Sequence, residues 1–270
     1  MPTAPLQTAG PFIGSHWNAR TSTDLPALSF IRDPLDDSDG GTIVQMEYPK
    51  GSYSGTDMGG VGNLQLGVFA PGQDRAIMSY EVGFSRGFDF VKGGKLPGLF
   101  GGDVDAHCTG GKNSEACFSL RLMWREQGAG EIYAYIPTYL GFCSEGPGPD
   151  EVFCHSDGFG ASIHRGSFTF KAGSWNQVTQ VVVLNYPPET ANGYLALYFE
   201  GELAMELKNV VFRTNESVTV SSLIFSTFFG GSSSDYAATS DCDSYFRNFR
   251  FWQGSAANSA PGPTVQASYG

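Results

Sequence analysis

Between Ala116 and Pro137 the chain reads ACFSLRLMWREQGAGEIYAYIP, and six of its even positions, Phe118, Leu120, Leu122, Trp124, Ile132 and Ile136, form an unbroken apolar set. Apolar side chains at every second residue suit a strand that buries one face and do not make the stripe of a helix. The EQGAG break then turns the chain back, so the segment predicts two antiparallel strands whose odd residues share the opposite face. A merely solvated face would carry Lys, Glu and Thr. This one carries Ser119, Arg121, Tyr133 and Tyr135.

The same period recurs along the chain, with candidate strands at 42–48, 64–69, 75–84, 88–92, 117–125, 131–136, 167–170, 177–185, 194–200, 202–212, 220–228 and 245–252. With 36 Gly, 15 Pro and hardly a helical period anywhere, the text predicts an all-β sandwich or barrel. GYLALYFEGELAMEL reads as a hairpin turning at Glu200-Gly201, and VVVLN before it is apolar on both faces, as an inner strand of packed sheets would be. No repeat recurs at solenoid or propeller periods. Residues 1–40, rich in Pro, Asp, Ser and Gly with an apolar island from Leu25 to Ile31, read as an arm laid over a domain at 41–253. Residues 254–270, GSAANSAPGPTVQASYG, have the composition of a flexible tail.

A formal charge of −11 argues against nucleic acid and anionic membranes as partners, and no apolar run is long enough to span a bilayer. A polyanionic ligand would then need the few cations gathered at its site, which singles out Lys92, Lys95, Arg121 and Arg125. Cys108, Cys117, Cys143 and Cys154 fall as two close pairs in Gly-rich text, with Cys242 left over; local disulfides fit, their connectivity open. With the Asn215-Glu-Ser217 sequon they lead us to expect a secreted, extracellular protein, its opening text reading as a mature chain.

Two phenols and a guanidinium on one sheet face suit the β-elimination of a uronic acid polymer. A cation or strong donor neutralises the C6 carboxylate, a base removes the acidified C5 hydrogen, and an acid protonates the departing O4. Lys95 and Arg121 are expected to hold and neutralise the carboxylate, and Tyr133 and Tyr135 to divide the base and acid roles if a neighbouring cation, Lys95 or Arg121, lowers the phenol pKa. The bland alternative is an aromatic ladder on a solvated face. In FDFVKGGKLPGLFGG a strand runs into Gly93-Gly94, and Lys95 follows in a Gly-rich loop where backbone can approach a sugar. His107 and His155 lie beside the cysteine pairs in loops that could roof a cleft, and His155 is the reserve base; His164 opens HRGSF. Tyr236 and Tyr245 could stack on sugars. No histidine spacing completes a zinc set, and DDSDGG at 36–41 reads more simply as a turn than as a Ca²⁺ loop.

KGGKLPGL at 92–99, followed by CFSLRLMWR, EIYAYIP, RGSFTFKAGSWNQVTQVVVLN and LIFSTFFGGSS, resembles polysaccharide lyase family 14, especially its fungal members, over roughly residues 40 to 252. The resemblance implies a β-jelly-roll of two antiparallel sheets with a concave cleft, and elimination of β-1,4-linked uronate polymers such as alginate and glucuronan. It also implies catalytic roles for Lys95, with Lys92 as fallback, and for Arg121, Tyr133 and Tyr135, with Ser119 orienting a phenol or a sugar hydroxyl. Arg125, Lys92, His155 and Tyr236 are the further substrate-binding candidates. In β-D-glucuronate and β-D-mannuronate the C5 hydrogen and O4 lie on the same side of the ring, so adjacent phenols can serve both proton transfers, whereas guluronate needs groups on opposite faces. An acidic chain read as secreted and of fungal type favours glucuronan over marine alginate.

The expectation is therefore a carbon–oxygen lyase acting on an acidic polysaccharide, a monomer without a cofactor or metal. A sandwich-fold glycoside hydrolase would need two carboxylates flanking the bond, and Glu131 alone does not supply them. A non-catalytic carbohydrate-binding protein is the alternative from another class.

Overall fold

Along residues 117–124 both faces of the strand are buried, although only the even side chains point between the sheets. In the computed structural model, which describes residues 1–36, 41–54, 56, 59–156, 158–231 and 233–269, the even set joins the main core. Trp124 packs edge-on against Tyr48, Phe84, Phe88 and Phe229. The odd set forms a separate cluster, with Met123, Tyr133 and Tyr135 beside Phe100 and Ile224.

The strands are β1 (Leu28–Arg32), β2 (Thr42–Tyr48), β3 (Val61–Leu66), β4 (Arg75–Phe84), β5 (Gly93–Gly102), β6 (Cys117–Arg125), β7 (Gly130–Tyr135), β8 (Val152–Cys154), β9 (Ala161–Ile163), β10 (Trp175–Val183), β11 (Gly193–Phe199), β12 (Glu202–Val210), β13 (Val220–Phe229) and β14 (Cys242–Gly254). Among the described residues they make two antiparallel sheets of seven strands, ordered β1-β2-β14-β4-β10-β11-β12 and β3-β13-β5-β6-β7-β9-β8, the expected jelly-roll sandwich.

Three local expectations are corrected. Residues 88–92 are not a strand, and β5 lies instead over the Gly-rich text read as a loop. Its glycines belong in a sheet because neighbours occupy their side-chain space: a Cβ at Gly94 would meet the Trp124 ring at 2.0 Å, and one at Gly101 the Phe118 ring at 2.1 Å. Residues 167–170 contribute only a bridge from Thr169 to Ala129. The helix α1 (Gly10–His16), with proline at its start, was not foreseen, nor were the short strands β8 and β9.

The N-terminal segment contributes β1 to the first sheet, and Leu6 bridges Phe30 outside it. The C-terminal segment runs extended over both sheets: Thr264 bridges Thr190, Ser268 bridges Thr138, and the Tyr269 hydroxyl donates to the Cys117 carbonyl. Of the 36–41 turn, residues 37–40 lie outside the described residues.

Candidate active site

Strand pairing aligns the site. The row Gln65, Ile224, Gly98, Arg121, Tyr133, Ser162, Phe153 crosses the second sheet from β3 to β8, and Ser119 faces Tyr135 one pleat further along. Lys95 faces Met123, which faces Glu131, one pleat the other way. The sheet thus brings Lys95, Ser119, Arg121, Tyr133 and Tyr135 together on its outer face. Gly98 makes room for this: a Cβ there would meet the Leu120 carbonyl at 2.0 Å and the Arg121 Cα at 2.5 Å.

The Lys95 ammonium nitrogen lies 3.3 Å from the centroid of the Tyr133 ring, and it donates to the Met123 thioether. Arg121 lies 5.8 Å from the Tyr135 ring, and the two tyrosine rings meet edge to face at 6.0 Å. Arg121 Nη1 donates to Ser226 at 3.3 Å, whereas its Nε is buried without a partner. A buried guanidinium donor left unmatched is costly unless something else completes it.

The electrostatics are set by closure. Lys95, Arg121, Tyr133 and Tyr135 retain only 8%, 2%, 7% and 2% of their exposure. Loop 103–116, stapled by the Cys108–Cys117 disulfide, roofs the Tyr135 end of the site: the Gly111 amide donates to the Tyr135 hydroxyl at 2.8 Å, and the Ser119 hydroxyl donates to the Cys108 carbonyl at 2.6 Å. Burial, then the charges of Arg121 and Arg125, push the Lys95 pKa well below the ordinary lysine range. Burial brings Arg121 down to about 10. Burial and the neighbouring Tyr135 raise Tyr133 well above the ordinary phenol range, outweighing Arg125. This corrects the expectation that a nearby cation lowers the tyrosine pKa: in the closed site Tyr133 is a protonated phenol, and the group whose charge is suppressed is Lys95.

The other candidates are placed around this centre. Arg125 lies 5.7 Å from the Tyr133 ring, and His155, half-buried after β8, lies at the same distance on a tilted ring. Lys92 pairs instead with Asp235 at 3.1 Å, and its nitrogen is 5.7 Å from the Tyr236 ring, so those two form an exposed cluster of their own. His107 is exposed on the roof, and His164 is buried and held below the usual histidine range by burial. Cys143 pairs with Cys154, and Cys242 is free.

Sequence reasoning did not single out Met123, Ser162, Arg165, Ser226 or Gln65. Met123 shares the odd phase of Arg121, a signal that was present; Ser162, Ser226 and Gln65 come from strands whose pairing the text does not reveal, and Arg165 from the turn after β9. Among the described residues no cluster of three or more His, Cys, Asp or Glu side chains is placed for a metal, and no helix is long and apolar enough to cross a membrane. Concavities of about 510 and 380 Å³ lie elsewhere; none of Lys95, Arg121, Tyr133 and Tyr135 lines either.

The outer face of one jelly-roll sheet thus holds a buried lysine–tyrosine–arginine centre. The family model for polysaccharide lyase 14 matches residues 36–249, and the chain belongs to that family and is a polysaccharide lyase. The structure is similar to the marine alginate lyase of the same family from Aplysia kurodai, with 31% identity, a TM-score of 0.74, and coverage of 94% of this chain and 100% of that one. The alginate lyase from Chlorella virus shares the fold at 23% identity and TM-score 0.66, over 81% of this chain and 88% of its own. The endo-β-1,4-glucuronan lyase from the fungus Trichoderma reesei does so at 10% identity and TM-score 0.57, over 88% and 91%. No curated protein sequence matches the chain significantly.

Proposed function

We propose that this lyase cleaves β-1,4-linked mannuronate-rich alginate or glucuronan by β-elimination at the Lys95–Tyr133–Arg121 centre. The observation that carries the reading is the Lys95 nitrogen, charge-suppressed by burial, set 3.3 Å from the Tyr133 ring centroid beside an Arg121 Nε that has no partner.

The unmatched Arg121 Nε receives the C6 carboxylate of the sugar whose C5 hydrogen leaves, and this charge-assisted bond acidifies that hydrogen. The neutral Lys95 amine takes the C5 proton. The C4–C5 double bond forms as the C4–O4 bond breaks, and Tyr133 gives its phenolic proton to O4. The Lys95 ammonium then returns its proton to the tyrosinate, which restores both groups. Tyr135 and Ser119, now bonded to the roof, turn to sugar hydroxyls once the Gly111 amide lifts away, so entry of substrate requires the roof to move.

Identity of 31% to an alginate lyase supports mannuronate-rich alginate ahead of glucuronan, reversing the order expected from acidity and cysteine content. Two disulfides and the exposed sequon Asn215 support secretion. The charge of −11 supports a chain without nucleic acid or anionic membrane partners, which we take to act as a monomer.

The test is ultraviolet detection of the unsaturated uronate released from polymannuronate, polyguluronate and glucuronan. Elimination on polymannuronate first and glucuronan second is expected. A product with reducing ends but no unsaturation would indicate a hydrolase, and no product at all a binding protein. Lys95→Ala and Tyr133→Phe should each lower kcat on the order of 10²- to 10⁴-fold; near-normal turnover in either removes that residue from the reaction.

A further inference from the structure

Glu131 is fully buried and precedes Tyr133 by two residues on the same face of β7. Arg125 reaches its Oε1 through Nε at 2.8 Å and Nη2 at 2.5 Å, and Arg165 reaches Oε2 through Nε at 2.7 Å, with the Ser162 hydroxyl donating to the same oxygen. Burial alone would raise the Glu131 pKa; Arg125 and then Arg165 outweigh it and hold the carboxylate ionised. Two guanidiniums therefore share one carboxylate, leaving a net positive charge.

Both arginines spend their Nε edge on Glu131. Among the described residues no hydrogen bond or ion pair reaches Arg125 Nη1 or either terminal nitrogen of Arg165. The side chains keep 14% and 28% of their exposure, more than Lys95, Arg121 or either phenol of the reacting centre. The fork is anchored below and open above. Two residues along a strand is about 7 Å, on the order of one sugar unit from Tyr133, and Arg125 lies 5.7 Å from that ring.

We propose that Arg125 and Arg165, preorganised on Glu131, form a second carboxylate-binding subsite, separate from Arg121, that holds the uronate adjacent to the one being deprotonated. The planar guanidinium fork matches a carboxylate. The inference rests on the lyase reading above and extends it: the enzyme reads charge on two successive sugars, and so prefers uninterrupted runs of free uronates.

Steady-state kinetics of the wild-type protein, Arg165→Gln and Arg125→Gln on polymannuronate and on the same polymer with about half its carboxyls methyl-esterified test it. Loss of one charge-assisted contact predicts a KM about tenfold higher for Arg165→Gln on the free polymer, with kcat within about twofold. The wild type should show a higher KM on the esterified polymer, and Arg165→Gln a smaller difference between the two. An active wild type with equal KM on both polymers, or an Arg165→Gln that keeps the wild-type KM or loses only kcat, overturns the subsite alone. A wild type inactive on every polymer overturns the lyase reading and the subsite with it. Should Arg125→Gln lose its near-ultraviolet circular dichroism, Arg165→Gln and the wild-type comparison decide the matter.

Discussion

At Lys95 and Tyr133 the same cause acts in opposite senses. Burial penalises the ammonium of one and the phenolate of the other, so both are biased toward the uncharged form, the state in which an amine can accept a proton and a phenol can give one. The ring face favours the ammonium, whereas burial and the flanking Arg121 and Arg125 disfavour it. The sign for activity follows. On the proposed mechanism protonated Lys95 is inactive, and its pKa is lowered, so kcat/KM should rise with pH through a limb lying well below the ordinary lysine range. Tyr133 must keep its proton and its pKa is raised, so the falling limb should lie above the ordinary phenol range. A pH–rate profile checks this, and a rising limb within the ordinary lysine range, or a falling limb below the ordinary phenol range, would contradict it. Arg121, Tyr133 and Tyr135 were legible in the sequence because a period-two phase sorts residues onto faces without any knowledge of partners. The protonation state of Tyr133 was not legible, because it depends on a roof that lies outside its strand.

The element that supplies the site's lysine is β5, and it was the element least legible in the text. Glycines at 93, 94, 98, 101 and 102 read as a loop because they lack the side chains that strands bury. Here the neighbouring strand fills the space: the Trp124 and Phe118 rings lie over Gly94 and Gly101, and the backbone of Leu120 and Arg121 lies against Gly98. The short strands β8 and β9 escaped for a different reason, since three residues carry too little periodicity to separate from loop text. Gly98→Ala tests the account. Its methyl group would collide with the Leu120 carbonyl and the Arg121 Cα, so the variant should lose about 1 to 3 kcal/mol in denaturant unfolding. Its kcat should fall further than that of Gly62→Ala in β3, where nothing lies within 4 Å of the added carbon. Equal effects at the two glycines would mean that Arg121 does not need the gap.

Over the whole molecule, a body of net charge −11 must accept a polyanion on a small cationic patch. Repulsion from the body acts at long range and attraction at the patch acts at contact. Salt screens the first at lower concentration than the second, the Debye length being about 10 Å at 0.1 M. We therefore expect kcat/KM on polymer to rise from very low ionic strength, pass through a maximum and then fall. A monotonic fall would show that the acidic residues sit too far from the substrate path to matter. Charge balance and sandwich class were both legible in composition and periodicity; the location of the patch beneath loop 103–116 was not, because contacts between a loop and a distant strand leave no local pattern.

The path of the last residues carries one more consequence. Ser268 and Tyr269 fasten the chain end to Thr138 and to the carbonyl of Cys117, the foot of the disulfide loop that covers the phenols. Release of residues 264–269 is therefore expected to loosen the cover, although the two segments are far apart in sequence. Amide hydrogen exchange should register this as faster labelling of 103–116 when 264–270 is clipped away, with the labelling of β10 and β11 unchanged.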